Sequence, residues 1–224
     1  MVSNFENRFK TPTALFIKDK QILFGEKALE KKFVDNDLIF NYMHDFIGKT
    51  YEDYTNKINT EELEIDKYFH KFNYTENIHR KSFKFKVKFN NEQFNLNIEE
   101  ILGLFFSHIK NMVYQFSKLR LKTCIITIPC SYTYTERNII FQALQIANMK
   151  AISFINANTA AAVHFALGFK FNKNETRNSI FYNIGSSSTQ ASLVKFTMEN
   201  SYDKETNLTT YNKRLKYILF KLYR

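Results

Sequence analysis

The sequence predicts an α/β fold in which helices flank a mixed sheet, and three observations carry that prediction. Between residues 124 and 196 the apolar pattern runs strand, helix, strand, helix, strand, turn, strand, the order of a layered α/β structure. Ahead of it, Phe83, Phe85, Val87 and Phe89 alternate with Lys84, Lys86 and Lys88, which gives a strand one apolar and one basic face. Residues 97–116 then change to the helical period, with Ile98, Ile101, Leu102, Phe105, Ile109, Met112, Val113 and Phe116 on one broad stripe. The sequence contains no internal repeat.

Taken in chain order, residues 13–24 (TALFIKDKQILF) predict a hairpin with its turn at Lys18, Asp19 and Lys20, closed by Gly25, as an exposed-edge element. Residues 28–40 are charged and predict a helix. Residues 41–49 form a short segment whose Phe46 and Ile47 pack inward, and 53–73 are a polar insertion. Asn97, Glu99 and Glu100 suit the start of the helix that follows. The run CIITI at 124–128 has the continuous apolar character of a strand buried on both faces, and Pro129 ends it. Thr133 with Glu136 makes a capping box, Ile139, Ile140, Ala143, Leu144 and Ala147 form the buried face behind it, and Asn148 supplies a left-handed cap. A strand at 151–155, a helix at 159–167 ended by Gly168, a charged loop at 170–177 and strands at 180–184 and 191–196 complete the order.

Composition excludes several classes. Hydrophobic residues make up 44% of the 224, enough for a core rather than disorder. The chain has 24 Phe and 13 Tyr but no Trp, and abundant Lys, Asn and Ile, the mark of an AT-rich coding sequence. That bias accounts for a formal charge of +10 without a nucleic-acid partner, since no arginine-rich stripe or recognition motif accompanies it. Cys124 and Cys130 lack further ligands at metal spacing, so they are small thiols rather than a zinc site, and they do not settle the redox compartment. Neither an apolar run of membrane-spanning length nor a signal peptide is present in the sequence.

Two loops carry the chemical information. In FINANTAAAVHFALG (154–168) an Asn-x-x-Thr and three alanines start a helix after a strand, and in FYNIGSSST (181–189) a Gly-Ser-Ser-Ser turn separates two apolar strands. A helix start beside a tight hairpin is how a phosphate-facing site is built, although Gly185 to Ser188 alone reads as an ordinary turn. The flanking order decides between these readings. TPTALFIKDKQILFGEKA, NYMHDFIGK, EEILGLFFSHIKNMVYQF, CIITIPCSYTYTERNIIFQALQIANMKAISFINANTAAAVHFALG and FYNIGSSSTQASLV resemble, from about residue 10 to 196, the nucleotide-binding domain of the seventy-kilodalton heat-shock (DnaK-type) chaperones. Asn158-Thr159 after Ala157, and the Gly-Ser-x-Ser-Thr form of the hairpin, are most similar to the large endoplasmic-reticulum branch of that family, the hypoxia-upregulated or glucose-regulated type.

The resemblance implies an actin-like, ribonuclease-H-like ATPase fold that clamps ATP or ADP with magnesium between two lobes. Only the first lobe is expected here, as a partial domain over 1–200 followed by a basic tail over 201–224. The chain is expected to begin after the family's first phosphate loop and to end soon after its second. An apolar lobe face that the family covers with further strands is then left bare.

The resemblance also implies a depleted site. His44 stands where hydrolysing relatives place a lysine on the γ-phosphate, Ala157 where they place a carboxylate that holds water, and Asn183 where they place an aspartate facing the magnesium shell. His44 has an alternative reading as a surface imidazole without a catalytic role. Phosphate cradles use glycines to let amides approach, and Gly185 has no other glycine within six residues. The nucleotide-facing residues are therefore Asn183, Gly185, Ser186, Ser187 and Ser188, with no catalytic residue, no protein-held metal, and nucleotide affinity weak or absent. Hydrolysis is not expected.

The family implies a chaperone or co-chaperone that assists protein folding, with other chaperones and unfolded polypeptides as partners; on composition, neither nucleic acid nor a membrane is expected as a partner. The endoplasmic-reticulum lumen is the expected location and the cytoplasm the alternative. Asn73-Tyr74-Thr75, Asn174-Glu175-Thr176 and Asn207-Leu208-Thr209 match the glycosylation acceptor pattern, which arises easily by chance in an Asn-rich chain. Residues 211–224 place Leu215, Ile218, Leu219 and Leu222 on one helical side, a basic segment suited to an anionic membrane or a partner groove. Two readings stand beside the first: a non-nucleotide interaction module working through this tail, and a non-functional gene fragment.

Overall fold

Two apolar tetrapeptides, LFIK and QILF, open the fold: β1 (Leu15–Lys18) and β2 (Gln21–Phe24) pair antiparallel, from Leu15 opposite Phe24 to Lys18 opposite Gln21. The computed structural model describes residues 2–33, 35, 38–58, 73–169, 176–185, 189–203 and 208–218. It divides into two units, Met1–Cys124 with Thr133–Ile152, and Ile125–Tyr132 with Ser153–Arg224.

In the first unit, Asp19 turns the hairpin at a φ of 52°, and the Gly25 N–H closes it on the Ala14 carbonyl at 2.9 Å. Only half of the hairpin is an exposed edge: β2 ends the sheet, with Gln21 and Ile22 exposed, whereas β1 does not. β3 (Ile39–Phe40) pairs with the free side of β1, so β1 is the middle strand and Leu15, Phe16 and Ile17 are buried. This also corrects the helix expected over 28–40. Helix α1 (Glu26–Glu30) is short, a 3₁₀ turn (Lys31–Phe33) follows it, and Ile39 is extended because β1 offers its backbone partners and the cluster of Ala14, Phe16 and Ala28 receives its side chain.

The polar insertion begins inside helix α2 (Tyr51–Ile58), and its residues 59–72 lie outside the described ones. A second antiparallel sheet follows, β4 (Tyr74–Asn77), β5 (Ser82–Phe89) and β6 (Glu92–Leu96), with β5 in the middle. The alternation on β5 is realised: Phe83, Phe85 and Val87 are buried, while Lys86 and Lys88 face solvent. Phe46 is buried as expected, its ring nearly perpendicular to Phe83 at 4.9 Å and to Phe85 at 5.3 Å.

Helix α3 (Ile98–Ser117) starts where its capping box predicts, the Asn97 N–H donating to Glu100 Oε2 at 2.7 Å. After β7 (Thr123–Ile128), helix α4 (Tyr134–Ile146) repeats the device, with the Thr133 N–H donating to Glu136 Oε2 at 2.9 Å. Asn148 takes the left-handed conformation at a φ of 52°, and the Met149 N–H reaches back to the Leu144 carbonyl at 2.9 Å. The two helices approach closely at Gly103, where an added Cβ would stand 2.6 Å from Ile146 Cγ2 and 3.2 Å from the Ala143 carbonyl.

β7 pairs with β8 (Lys150–Asn156) in a two-stranded sheet, and both strands run on into the second unit. Residues 124–128 are not buried on both faces: Ile125 is 61% exposed and only Ile128 is buried. An apolar run specifies a strand but not the layers over it, and a two-stranded sheet leaves one face of this run to solvent.

The second unit continues with helix α5 (Ala157–Gly168) and a three-stranded antiparallel sheet of β9 (Thr176–Ile184), β10 (Thr189–Asp203) and β11 (Leu208–Ile218), with β10 in the middle. Ala162 and Ala166 of α5 bury against Val194 and Phe196, with Phe165 and Phe181 packed around them. Thr176 and Arg177, expected in the charged loop, belong to β9, and residues 170–175 lie outside the described ones; the Arg177 guanidinium lies 4.2 Å from the centroid of the Phe169 ring. The tail is not helical over 211–218. It forms β11, paired from Leu193 opposite Ile218 to Asp203 opposite Leu208, because the edge of β10 supplies a full ladder of backbone partners. Residues 219–224 lie outside the described ones. Among the described residues no helix is long and apolar enough to cross a membrane.

Candidate nucleotide-facing site

The hairpin between β9 and β10 is the centre of the candidate site. Ile184 stands opposite Thr189 and Asn183 opposite Gln190, so the chain reverses across residues 185–188. Asn183 and Gly185 are exposed at that end of the sheet. Ser186, Ser187 and Ser188 lie outside the described residues.

Helix α5 starts in the same unit. Asn156 is its N-cap in an extended conformation and makes no side-chain capping bond, and Ala157 is the first helical residue. One residue on, Asn158 is 3% exposed, and its Nδ2 donates to Ser192 Oγ, itself 0% exposed, at 2.6 Å. A buried amide needs such a partner, and here the partner lies on the strand that leaves the hairpin. The bond ties the first turn of α5 to β10. Sequence reasoning placed Asn158 in a motif without seeing this role; the available clue was an amide side chain in the first turn of a helix rich in alanine.

Chemically, the pieces differ in what they offer. Gly185 has no side chain to bar a phosphate from the backbone, and Asn183 brings an amide with both donor and acceptor capacity. Ala157 has a methyl group, which neither orients water nor accepts a hydrogen bond. His44 belongs to the other unit, in a 3₁₀ turn (Met43–Asp45), where its Nε2 lies 3.2 Å from Asp45 Oδ1 and Tyr42 packs edge-on at 6.3 Å. Its nearest charged neighbour is thus the adjacent carboxylate. Among the described residues no group of three or more His, Cys, Asp and Glu side chains stands together to hold a metal ion. Asn183 and Gly185 are residue types able to meet phosphate oxygens.

The sheet, helix and hairpin order define a class. A family profile described as Hsp70 protein matches residues 1–211, and the chain belongs to the Hsp70 family, whose nucleotide-binding domain has the actin-like ATPase fold. Within it, the chain is 28% identical over 204 residues to hypoxia up-regulated protein 1 of Xenopus tropicalis, covering 91% of this chain and 30% of that protein. It is 29% identical over 197 residues to the Danio rerio protein of that name, covering 88% and 19%. For the Homo sapiens protein the identity is 26% over 204 residues, covering 88% and 19%. The chain thus spans less than a third of the length of these relatives.

Proposed function

We propose that this chain is the first-lobe part of an Hsp70-type nucleotide-binding domain, working in an ATP-binding chaperone or co-chaperone that assists protein folding, with hydrolysis lost. Asn183, Gly185, Ser186, Ser187 and Ser188 face the phosphates of ATP or ADP. The observation that carries the reading is the Asn158–Ser192 bond, which holds the start of α5 against the strand leaving the hairpin, so that backbone N–H groups from both elements belong to one packed unit.

Loss of hydrolysis rests on side-chain chemistry. With Ala157 and Asn183 at the α5 start and the hairpin, no carboxylate stands at either position to place an attacking water or to meet the magnesium shell. Magnesium would enter with the nucleotide's own phosphates. Binding without turnover suits a regulatory clamp, in which nucleotide selects between open and closed states and hydrolysis is dispensable. Partner chaperones and unfolded polypeptides are then the interacting molecules, and the lumen of the endoplasmic reticulum, where the branch with this hairpin works, is the location.

Isothermal titration of the purified chain with MgATP, alongside a phosphate-release assay, tests this. The expected result is binding weaker than roughly 100 μM, about −5.5 kcal/mol, and no turnover above buffer. Micromolar binding with measurable phosphate release would overturn the reading.

A further inference from the structure

The C-terminal half of α3, the link into β7, the C-terminal end of α4 and the start of β8 enclose a cleft of about 800 Å³ within the first unit. Four cations line it, Lys110, Arg120, Lys122 and Lys150, and no Asp or Glu does. Lys110 is held in place, its Nζ donating to the carbonyls of Ala147 at 3.1 Å and Asn148 at 3.0 Å at the end of α4. An ammonium has three N–H donors, so one remains for a ligand. Arg120, Lys122 and Lys150 are exposed.

The sequence isolates this charge. Between Glu100 and Glu175 there is one carboxylate side chain, Glu136, and it is engaged with Thr133 at the start of its own helix. The same stretch carries eight lysines and arginines, while the whole chain has 22 Asp and Glu. A compositional bias that raises lysine throughout does not empty one stretch of its acids.

We propose that this cleft binds an acidic peptide segment of a partner protein. Charge complementarity selects the anion, and the rest of the lining selects a peptide over a bare polyanion. Tyr114, Leu121 and Met149 give an apolar surface that inorganic phosphate does not use. Asn111, Gln145 and Asn148 present amides that both donate and accept, as an extended main chain requires. The cleft shares no residue with the hairpin, and nucleotide is not expected to alter its binding.

The test is fluorescence polarisation of a fluorescein-labelled Glu-Leu-Glu-Glu-Leu-Glu peptide against the full chain. Saturable binding is expected, unchanged by MgATP. The pair Arg120→Glu with Lys150→Glu should weaken it by about tenfold, ~1.4 kcal/mol. Lys86→Glu with Lys88→Glu, an equal change of charge on β5, should weaken it by less than about twofold. Arg120→Gln with Lys150→Gln, checked by thermal melting, gives the same direction with a smaller perturbation. Absence of binding, equal weakening by both charge reversals, or displacement by tripolyphosphate at lower concentration than by unlabelled peptide would each overturn the proposal.

Discussion

The side-chain amide of Asn158 donates to the hydroxyl of Ser192 at 2.6 Å, with both residues buried, and so joins the first turn of a helix to the strand leaving a hairpin. Removing either partner leaves a polar group without its bond in the interior. Asn158→Ala and Ser192→Ala should each destabilise the chain by about 1–3 kcal/mol in urea unfolding. The double variant should lose less than the sum of the two, since the second change removes the group left unpaired by the first.

At Gly103 the approach of α3 and α4 leaves no room for a methyl group, since the obstruction includes the Ala143 carbonyl as well as Ile146. Gly103→Ala gains helix propensity but forces the helices apart. A net loss of about 1–3 kcal/mol is expected, and an unchanged melting temperature would show that Ile146 simply rotates away.

His108 stacks on Phe24 at 4.2 Å with an interplanar angle of 13° and meets Phe5 edge-on. Burial holds its pKa below the ordinary 6.5, opposed by Glu6 and assisted by Lys27. The unfolded chain therefore takes up the proton first. The stability that depends on neutral His108 is complete above pH 6.5 and is lost as pH falls from there through the lower folded-state value. His108→Phe, which keeps a ring on Phe24, should lose less stability than the parent between about pH 7 and pH 5 at fixed ionic strength.

Glu99, almost wholly buried in the first turn of α3, pairs with Arg80, whose side chain is nearly half exposed. Arg80→Ala strands the carboxylate. We expect a loss of about 1–3 kcal/mol, largely recovered in the double variant Arg80→Ala with Glu99→Gln, as judged by denaturant midpoints.

Local chemistry was legible in the sequence, and tertiary coverage was not. The β5 alternation, the Asn97–Glu100 and Thr133–Glu136 boxes and the left-handed Asn148 depend on residues within a few positions of one another, and each stands where the sequence puts it. β4 (YTEN) and β6 (EQFNL) escaped notice because they are too polar to show a pattern, and pairing with β5 makes them strands. Ile39 and Phe40 read as the end of a helix because nothing local signals that β1 has a vacant side. At the candidate site, the hairpin at Gly185 was readable from the apolar runs beside it. The Asn158–Ser192 bond spans 34 positions, and no local rule reaches that far.

β9 has two unlike faces. Phe181 turns inward to Phe165 and Phe196, while Ile180, Tyr182 and Ile184 look outward at 73%, 59% and 70% exposure. Such a stripe is a surface for association with another chain. In the isolated chain it favours self-association.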